Sequence, residues 1–274
     1  MRLPKFSLAL AASVGLLAGA NSASALTTDL AFIMDHSNSI SEANFGSAMG
    51  ALADALDAAI PTNDPGNQYS ITVIKFNDSA EVVETAGFSV ANRLITSAAD
   101  LTAVTNAIRN HSNSTSSTTC YSCAFDLLAS TVTTLHDYSL INMMTDGEPN
   151  VGLTGGALQN QANNLHTATG WDSLSFEAIN LDPGGTSLLQ NLAFDTGGIG
   201  VQPVYTNVAS ITDPLNDSFV FKVASFGTVY DQAIARKIQT IVTPSIPLPA
   251  GLPLLLSGLG LAGALRLRRR KKAA

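Results

Sequence analysis

Leu30-Ala31-Phe32-Ile33-Met34 is a continuous apolar run, and Asp35-His36-Ser37-Asn38-Ser39 follows it directly. A strand buried on both faces of a parallel sheet reads as unbroken apolar residues rather than as alternation. The run ends in Asp35, Ser37 and Ser39, three oxygen-bearing side chains each two residues apart, and Ser39 or Ser41 offers a helix cap. Residues 42–60 then place Phe45, Met49, Leu52, Leu56 and Ile60 at spacings of three and four, which predicts a helix. In open α/β sheets, ligands sit at the carboxyl ends of strands near a topological switch point. A carboxylate and two hydroxyls there converge on one point as the chain turns, and an all-oxygen donor set selects a hard cation such as Mg2+.

Strands and helices alternate outward from this stretch. Residues 69–76 read as a second strand, Asn77-Asp78-Ser79 as a turn, and 80–84 as a strand folding back on it, so one edge strand is expected to run antiparallel. Asp100 is placed to cap a helix carrying Leu101, Val104 and Ile108, and the Ser/Thr/Asn tract of 111–119 reads as a loop. A helix over about 122–135 precedes a third buried strand at 139–144, which Thr145-Asp146-Gly147-Glu148-Pro149 stops. Helix 155–168, strand 174–181, helix 187–193, strand 201–204 and a last helix over 220–241 complete the series. The alternation predicts an α/β fold: a doubly wound, Rossmann-like, mostly parallel sheet with one antiparallel edge strand and helices on both faces.

Both ends read as addresses. Residues 1–25 combine Arg2 and Lys5, an apolar run from Phe6 to Ala20, and Ala23-Ser24-Ala25, the order of a secretory signal peptide. At the other end, Ile246-Pro247-Leu248-Pro249-Ala250 leads into an uncharged stretch to Leu265, followed by Arg266, Arg268, Arg269, Arg270, Lys271 and Lys272. The stretch is near the ~20 residues that span a bilayer, with the basic cluster expected to stay cytoplasmic. The chain thus divides into a signal peptide (1–25), one domain (26–243) and a tail (244–274). About 215 residues between the ends suffice for one core.

Setting the ends aside leaves Lys75, Arg93, Arg109, Lys222, Arg236 and Lys237 against all 21 Asp and Glu, a net charge of about −15. Such a surface excludes nucleic acid and anionic lipid as partners and attracts cations. Two cysteines, Cys120 and Cys123, exclude a disulfide scaffold and a four-cysteine zinc site. They stand at the start of a helix, open to redox chemistry, to a local disulfide or to two free thiols. His36 alternates away from its oxygen-bearing neighbours, and His111, His136 and His166 are scattered without metal-binding spacing. No G-x-S-x-G elbow or P-loop occurs. Gly184-Gly185 and Gly197-Gly198 read as turns and Trp171 as packing.

Asp35-x-Ser37-x-Ser39-Ile40-Ser41-x-x-Asn44-Phe45 resembles the opening of von Willebrand factor A (integrin I-type) domains. Thr145-Asp146-Gly147 resembles that family's Thr-Asp-Gly after a buried strand, and residues 71–76 with Asn77-Asp78-Ser79 resemble its strand-and-turn segment. Aligning on Ala124-Phe125 puts Thr119 at the family's helix-leading threonine, although Ser117-Thr118 replaces the usual Gly-Gly and makes Thr118 a rival. The resemblance implies a metal-ion-dependent adhesion site of Asp35, Ser37, Ser39, Thr119 and Asp146. Mg2+ is the expected ion, with Mn2+ and Ca2+ as alternatives, and a protein partner's carboxylate completes the coordination. The tail resembles the PEP-CTERM/VPLPA-type sorting signals, which implies an exosortase-like processing enzyme and transient membrane attachment; a permanent single-span anchor is the alternative. The function expected is an exported adhesion or binding module of the cell surface or extracellular matrix, not an enzyme. A structural matrix component with a vestigial metal site is an alternative. A hydrolase using metal-bound water is another and needs a base, for which His36 and Glu148 are the candidates.

Overall fold

The computed structural model describes residues 25–64, 66–111 and 116–242. The segment expected to be a signal peptide, Ala25 apart, and the expected sorting tail lie outside these residues. The elements are β1 (Leu26–Asp35), α1 (Glu42–Ala59), β2 (Asn67–Phe76), β3 (Ala80–Val82), β4 (Glu84–Thr85), β5 (Phe88–Ser89), β6 (Arg93–Ile95), α2 (Ala98–Arg109) and α3 (Tyr121–Thr131). They continue with β7 (Tyr138–Thr145), α4 (Gly155–Thr167), β8 (Ser173–Ile179), α5 (Pro183–Leu192), β9 (Phe194–Asp195), β10 (Gly198–Ile199), β11 (Val204–Tyr205), β12 (Val220–Val223) and α6 (Thr228–Val242).

The expected doubly wound sheet is present. Its parallel part runs β11-β12-β8-β7-β1-β2, and β2 carries β3 antiparallel at its carboxyl half and β6 antiparallel at its amino half. From β1 the chain crosses through α1 to β2 on one side, whereas β7 lies on the other. The switch point therefore falls between β1 and β7, where their carboxyl ends leave a crevice.

Alternate residues of β1 serve opposite faces, the reason its sequence is apolar throughout. Leu30, Phe32 and Met34 join α1, α2 and α6 in one core, through Phe45, Leu52, Val104, Ile234 and their neighbours. Ala31 and Ile33 join α3, α4 and α5 in the other, through Phe125, Leu158 and Leu189 among others. Trp171 is buried there as packing. Among the described residues no helix is long and apolar enough to cross a membrane.

Several boundaries differ from the sequence expectation. The last helix begins at Thr228, because Val220-Phe221-Lys222-Val223 is a β-branched and aromatic run that pairs in parallel with β8. Gly227 at φ +125°, a conformation other residues rarely adopt, then turns the chain into α6. Ser97, not Asp100, caps α2; Asp100 sits three residues on and accepts from the Ser97 hydroxyl, completing a capping pair. The third helix stops at Thr131, where Val132-Thr133-Thr134 adds further β-branched residues. Pro183 starts α5 four residues early, with Asp182 capping it.

Candidate functional site

Asp35 ends β1 and is fully buried. Its Oδ1 accepts from the Ser37 amide at 2.9 Å and its Oδ2 from the Thr145 hydroxyl at 2.6 Å. The Ile40 amide bonds back to the Ser37 carbonyl, closing a turn, and the Ser41 hydroxyl then caps α1 through the Asn44 amide. This turn aims both serines the same way: Ser37 Oγ and Ser39 Oγ are 3.0 Å apart, and Ser39 Oγ donates to Asp146 Oδ1 at 2.6 Å. His36 points elsewhere, its ring stacked on Phe45 with centroids 4.0 Å apart.

A second loop arrives from before α3. Its backbone pairs with the first loop, where Ser37 bridges Ser116 and the Asn38 amide donates to the Ser116 carbonyl. Asn150 clamps Thr119 on both sides, with Oδ1 accepting from the Thr119 amide at 2.8 Å and its own amide donating to the Thr119 carbonyl at 3.0 Å. Thr119 Oγ1 thereby faces Gly147: a β-carbon built there would stand 3.8 Å from it and 4.0 Å from Ser39 Oγ. The Thr118 hydroxyl instead lies 3.4 Å from Ser116 Oγ. All five sequence-predicted residues, Asp35, Ser37, Ser39, Thr119 and Asp146, are thus brought around the carboxyl ends of β1 and β7.

Cys120 and Cys123 are joined as a disulfide at the first turn of α3, beside Thr119. The third loop rests on it. Gly152, at φ +79°, approaches so closely that a β-carbon would stand 2.2 Å from Ser122 Oγ and 2.8 Å from Cys120 Sγ. Tyr121, which the sequence reading passed over, is fully buried under the site. Its hydroxyl bonds with Thr145 Oγ1 and the Gly147 carbonyl. Asn150 was missed as well. Its signal is faint: one amide side chain shortly after the Thr-Asp-Gly turn.

The electrostatics are those of a site built for a cation. Burial pushes the Asp35 carboxyl up to about 6, against the hydrogen bonds from Thr145 and Ser37, and the negative Asp146 adds to the rise. Burial raises Asp146 too. Among the described residues, neither carboxylate has a Lys, Arg or His ion-pair partner. Two desolvated carboxylates and three neutral hydroxyls fit a hard divalent ion, which needs oxygen ligands and would supply the missing positive charge. The bases that a hydrolase would need are poorly placed. His36 is turned into the core beside Phe45, where burial lowers its pKa, and Glu148 is exposed next to Gly184 and Gly185.

The family model of the von Willebrand factor type A domain matches residues 29–233. No curated protein matches the chain. Among solved structures, proximal thread matrix protein 1 from the mussel byssus is similar at 19% identity and a TM-score of 0.52, over 80% of this chain and 46% of that one. A second structure of that protein, described as having a zinc-occupied MIDAS motif, is similar at 18% identity and 0.51, over 78% and 46%. The pilus adhesin SpaC from Lactobacillus rhamnosus GG is similar at 11% identity and 0.50, over 79% and 31%. At such identities the likeness is one of fold, and this chain spans less than half the length of each of these three.

Proposed function

The chain belongs to the von Willebrand factor type A domain family, and on that premise we propose that it is an exported binding module that holds Mg2+ and, through it, an acidic group of a protein partner. The observation that carries this reading is the gathering of Ser37, Ser39 and Thr119 hydroxyls around a buried carboxylate, Asp35, and a half-buried one, Asp146, neither paired with a cation among the described residues. Ser37, Ser39 and Thr119 would offer hydroxyl oxygens to the ion, and Asp35 and Asp146 would bind it directly or through water. Mn2+ and Ca2+ meet the same donor chemistry. The bound ion would supply an electrophilic point for an incoming carboxylate, left strong because most of its neighbours are neutral.

Export is supported by the signal-like start, by the tail's likeness to a sorting signal, and by a disulfide that suits an oxidising compartment. An exosortase-like enzyme would then process the tail, with membrane attachment through it until that step. The adhesin and the matrix protein among the structural neighbours suit a role at the cell surface or in a matrix. A purely structural matrix role is the second reading, favoured by that matrix protein.

Thermal melts in Mg2+, in Mn2+ and in EDTA test the proposal. A ligand of the folded state alone raises stability by RT ln(1 + [L]/Kd), so millimolar metal gives a saturable rise, absent in Asp35→Ala. If neither metal moves the melt of the wild type, the metal-binding reading fails and the structural one replaces it.

A further inference from the structure

Asn142, Glu177 and Lys237 interrupt the core between the sheet and α6, and all three are fully buried. On β7 and β8, Asn142 pairs with Ser175 and Met144 with Glu177, so Asn142 and Glu177 are diagonal neighbours on one face. Lys237 comes down onto them from α6. Its Nζ donates to Glu177 Oε1 at 2.5 Å and to Asn142 Oδ1, while Asn142 Nδ2 donates to Glu177 Oε2 at 2.6 Å. One carboxylate thus holds the amine with one oxygen and the amide nitrogen with the other. Phe32 stands beside Asn142 in the strand register, and the Phe219 ring lies 4.7 Å from Nζ.

An ion pair alone asks nothing of an amide. Here the amide turns its carbonyl toward the amine and its NH2 toward the carboxylate, which brings a nucleophile, an acyl group and a proton carrier into one buried contact. We propose that Lys237 and Asn142 join in a spontaneous intramolecular isopeptide bond, with Glu177 as the proton carrier. Glu177 takes one proton from the Lys237 ammonium, freeing the lone pair on Nζ. Nζ attacks Asn142 Cγ and the new C–N bond forms. Glu177 passes its proton to Nδ2 and takes the second proton from Nζ. The Cγ–Nδ2 bond breaks and ammonia leaves. The products are a secondary amide, ammonia and a neutral Glu177 carboxyl; no oxidant or cofactor is consumed.

The surroundings favour each step. Burial lowers the Lys237 pKa, easing formation of the free amine. Exclusion of water protects the product from hydrolysis. The reaction also discharges a buried ion pair, whose desolvation is costly. The bond would tie α6, the last described element, to β7 in the middle of the sheet across 95 residues of chain. A pull arriving from the carboxyl-terminal segment would then load the central sheet instead of peeling off the helix. The inference is independent of metal binding.

The test is mass spectrometry of the full chain, reduced and denatured, with peptide mapping that reads terminal processing separately. The expected wild type lacks one molecule of ammonia within the domain and yields a branched peptide joining Asn142 to Lys237. Glu177→Gln keeps the shape but cannot carry the proton, and is expected at full mass without the branch. Asn142→Asp is expected to lose water instead and to give the same branched peptide. Folded wild-type protein with no branched peptide overturns the proposal, whether or not the variants fold; a branch that persists in Glu177→Gln overturns the role of Glu177.

Discussion

Thr145 Oγ1 lies 2.6 Å from Asp35 Oδ2, so the last residue of β7 holds the carboxylate that ends β1. The contact crosses the switch point of the sheet and fixes the orientation of Asp35 before any ligand arrives. Thr145→Val keeps the shape and removes the donor. Loss of such an orienting partner typically costs 10–100-fold in metal affinity. The variant is expected to fold, to melt below the wild type in EDTA because Asp35 and Tyr121 lose a buried partner, and to need about that much more Mg2+ for half its thermal rise. An unchanged Mg2+ midpoint would show that Asp35 needs no such support.

Thr119 and Thr118 separate cleanly by substitution. Thr119 Oγ1 faces the ring of oxygens, whereas the Thr118 hydroxyl pairs with Ser116. Thr119→Ala is expected to abolish most of the metal-dependent rise in melting temperature, and Thr118→Ala to leave it nearly intact. The reverse result would move the third hydroxyl to Thr118.

The difference between those two residues also shows where sequence reading stops. Asp35, Ser37 and Ser39 were legible because an apolar run fixes the strand and the donors follow its end at a spacing of two. Thr119 sits in a tract of near-identical polar residues with no periodicity, and only the Asn150 clamp singles it out. Residues 220–223 fitted a helical period as well as a strand, and their pairing with β8 decided the matter. Asn142 and Glu177 each stand as a polar residue among apolar strand neighbours, and Lys237 follows Arg236 in a mixed helical stretch; strand order and the descent of α6 bring them together.

Asp35 is a buried carboxylate without a cation, so the metal-free domain is expected to bear a cost at neutral pH. A carboxyl raised from 3.8 to about 6 on folding contributes stability that is full below 3.8 and is lost as the pH rises through about 6. The shift of roughly two units corresponds to a difference of about 3 kcal/mol at pH 7. Asp35→Asn removes the charge and nearly keeps the shape. In EDTA at pH 7 it is expected to be more stable than the wild type, with the gap closing as the pH falls from about 6 to about 4. In saturating Mg2+ the order reverses, because only the wild type binds the ion. Denaturant titrations at several pH values check this, and a variant less stable than wild type in EDTA at pH 7 would contradict it.

Gly152 is where the third loop rests on the disulfide, and two independent features forbid a side chain there. Its φ is +79°, and a β-carbon would overlap both Ser122 Oγ and Cys120 Sγ. The hydroxyl of Ser122 cannot simply swing away, since it accepts from the Leu153 amide at 3.0 Å. Gly152→Ala is therefore expected to cost about 1–3 kcal/mol, from backbone strain together with overpacking. The same loop carries Asn150, so its displacement loosens Thr119 and weakens the response to Mg2+ as well. Gly156, in the first turn of α4, has open space around its β-carbon position and no positive φ. Gly156→Ala is thus expected to leave stability and the metal response unchanged or slightly improved. Denaturation curves and Mg2+ melts of both variants test the argument. Equal effects at the two positions would mean that the third loop does not seat on the disulfide.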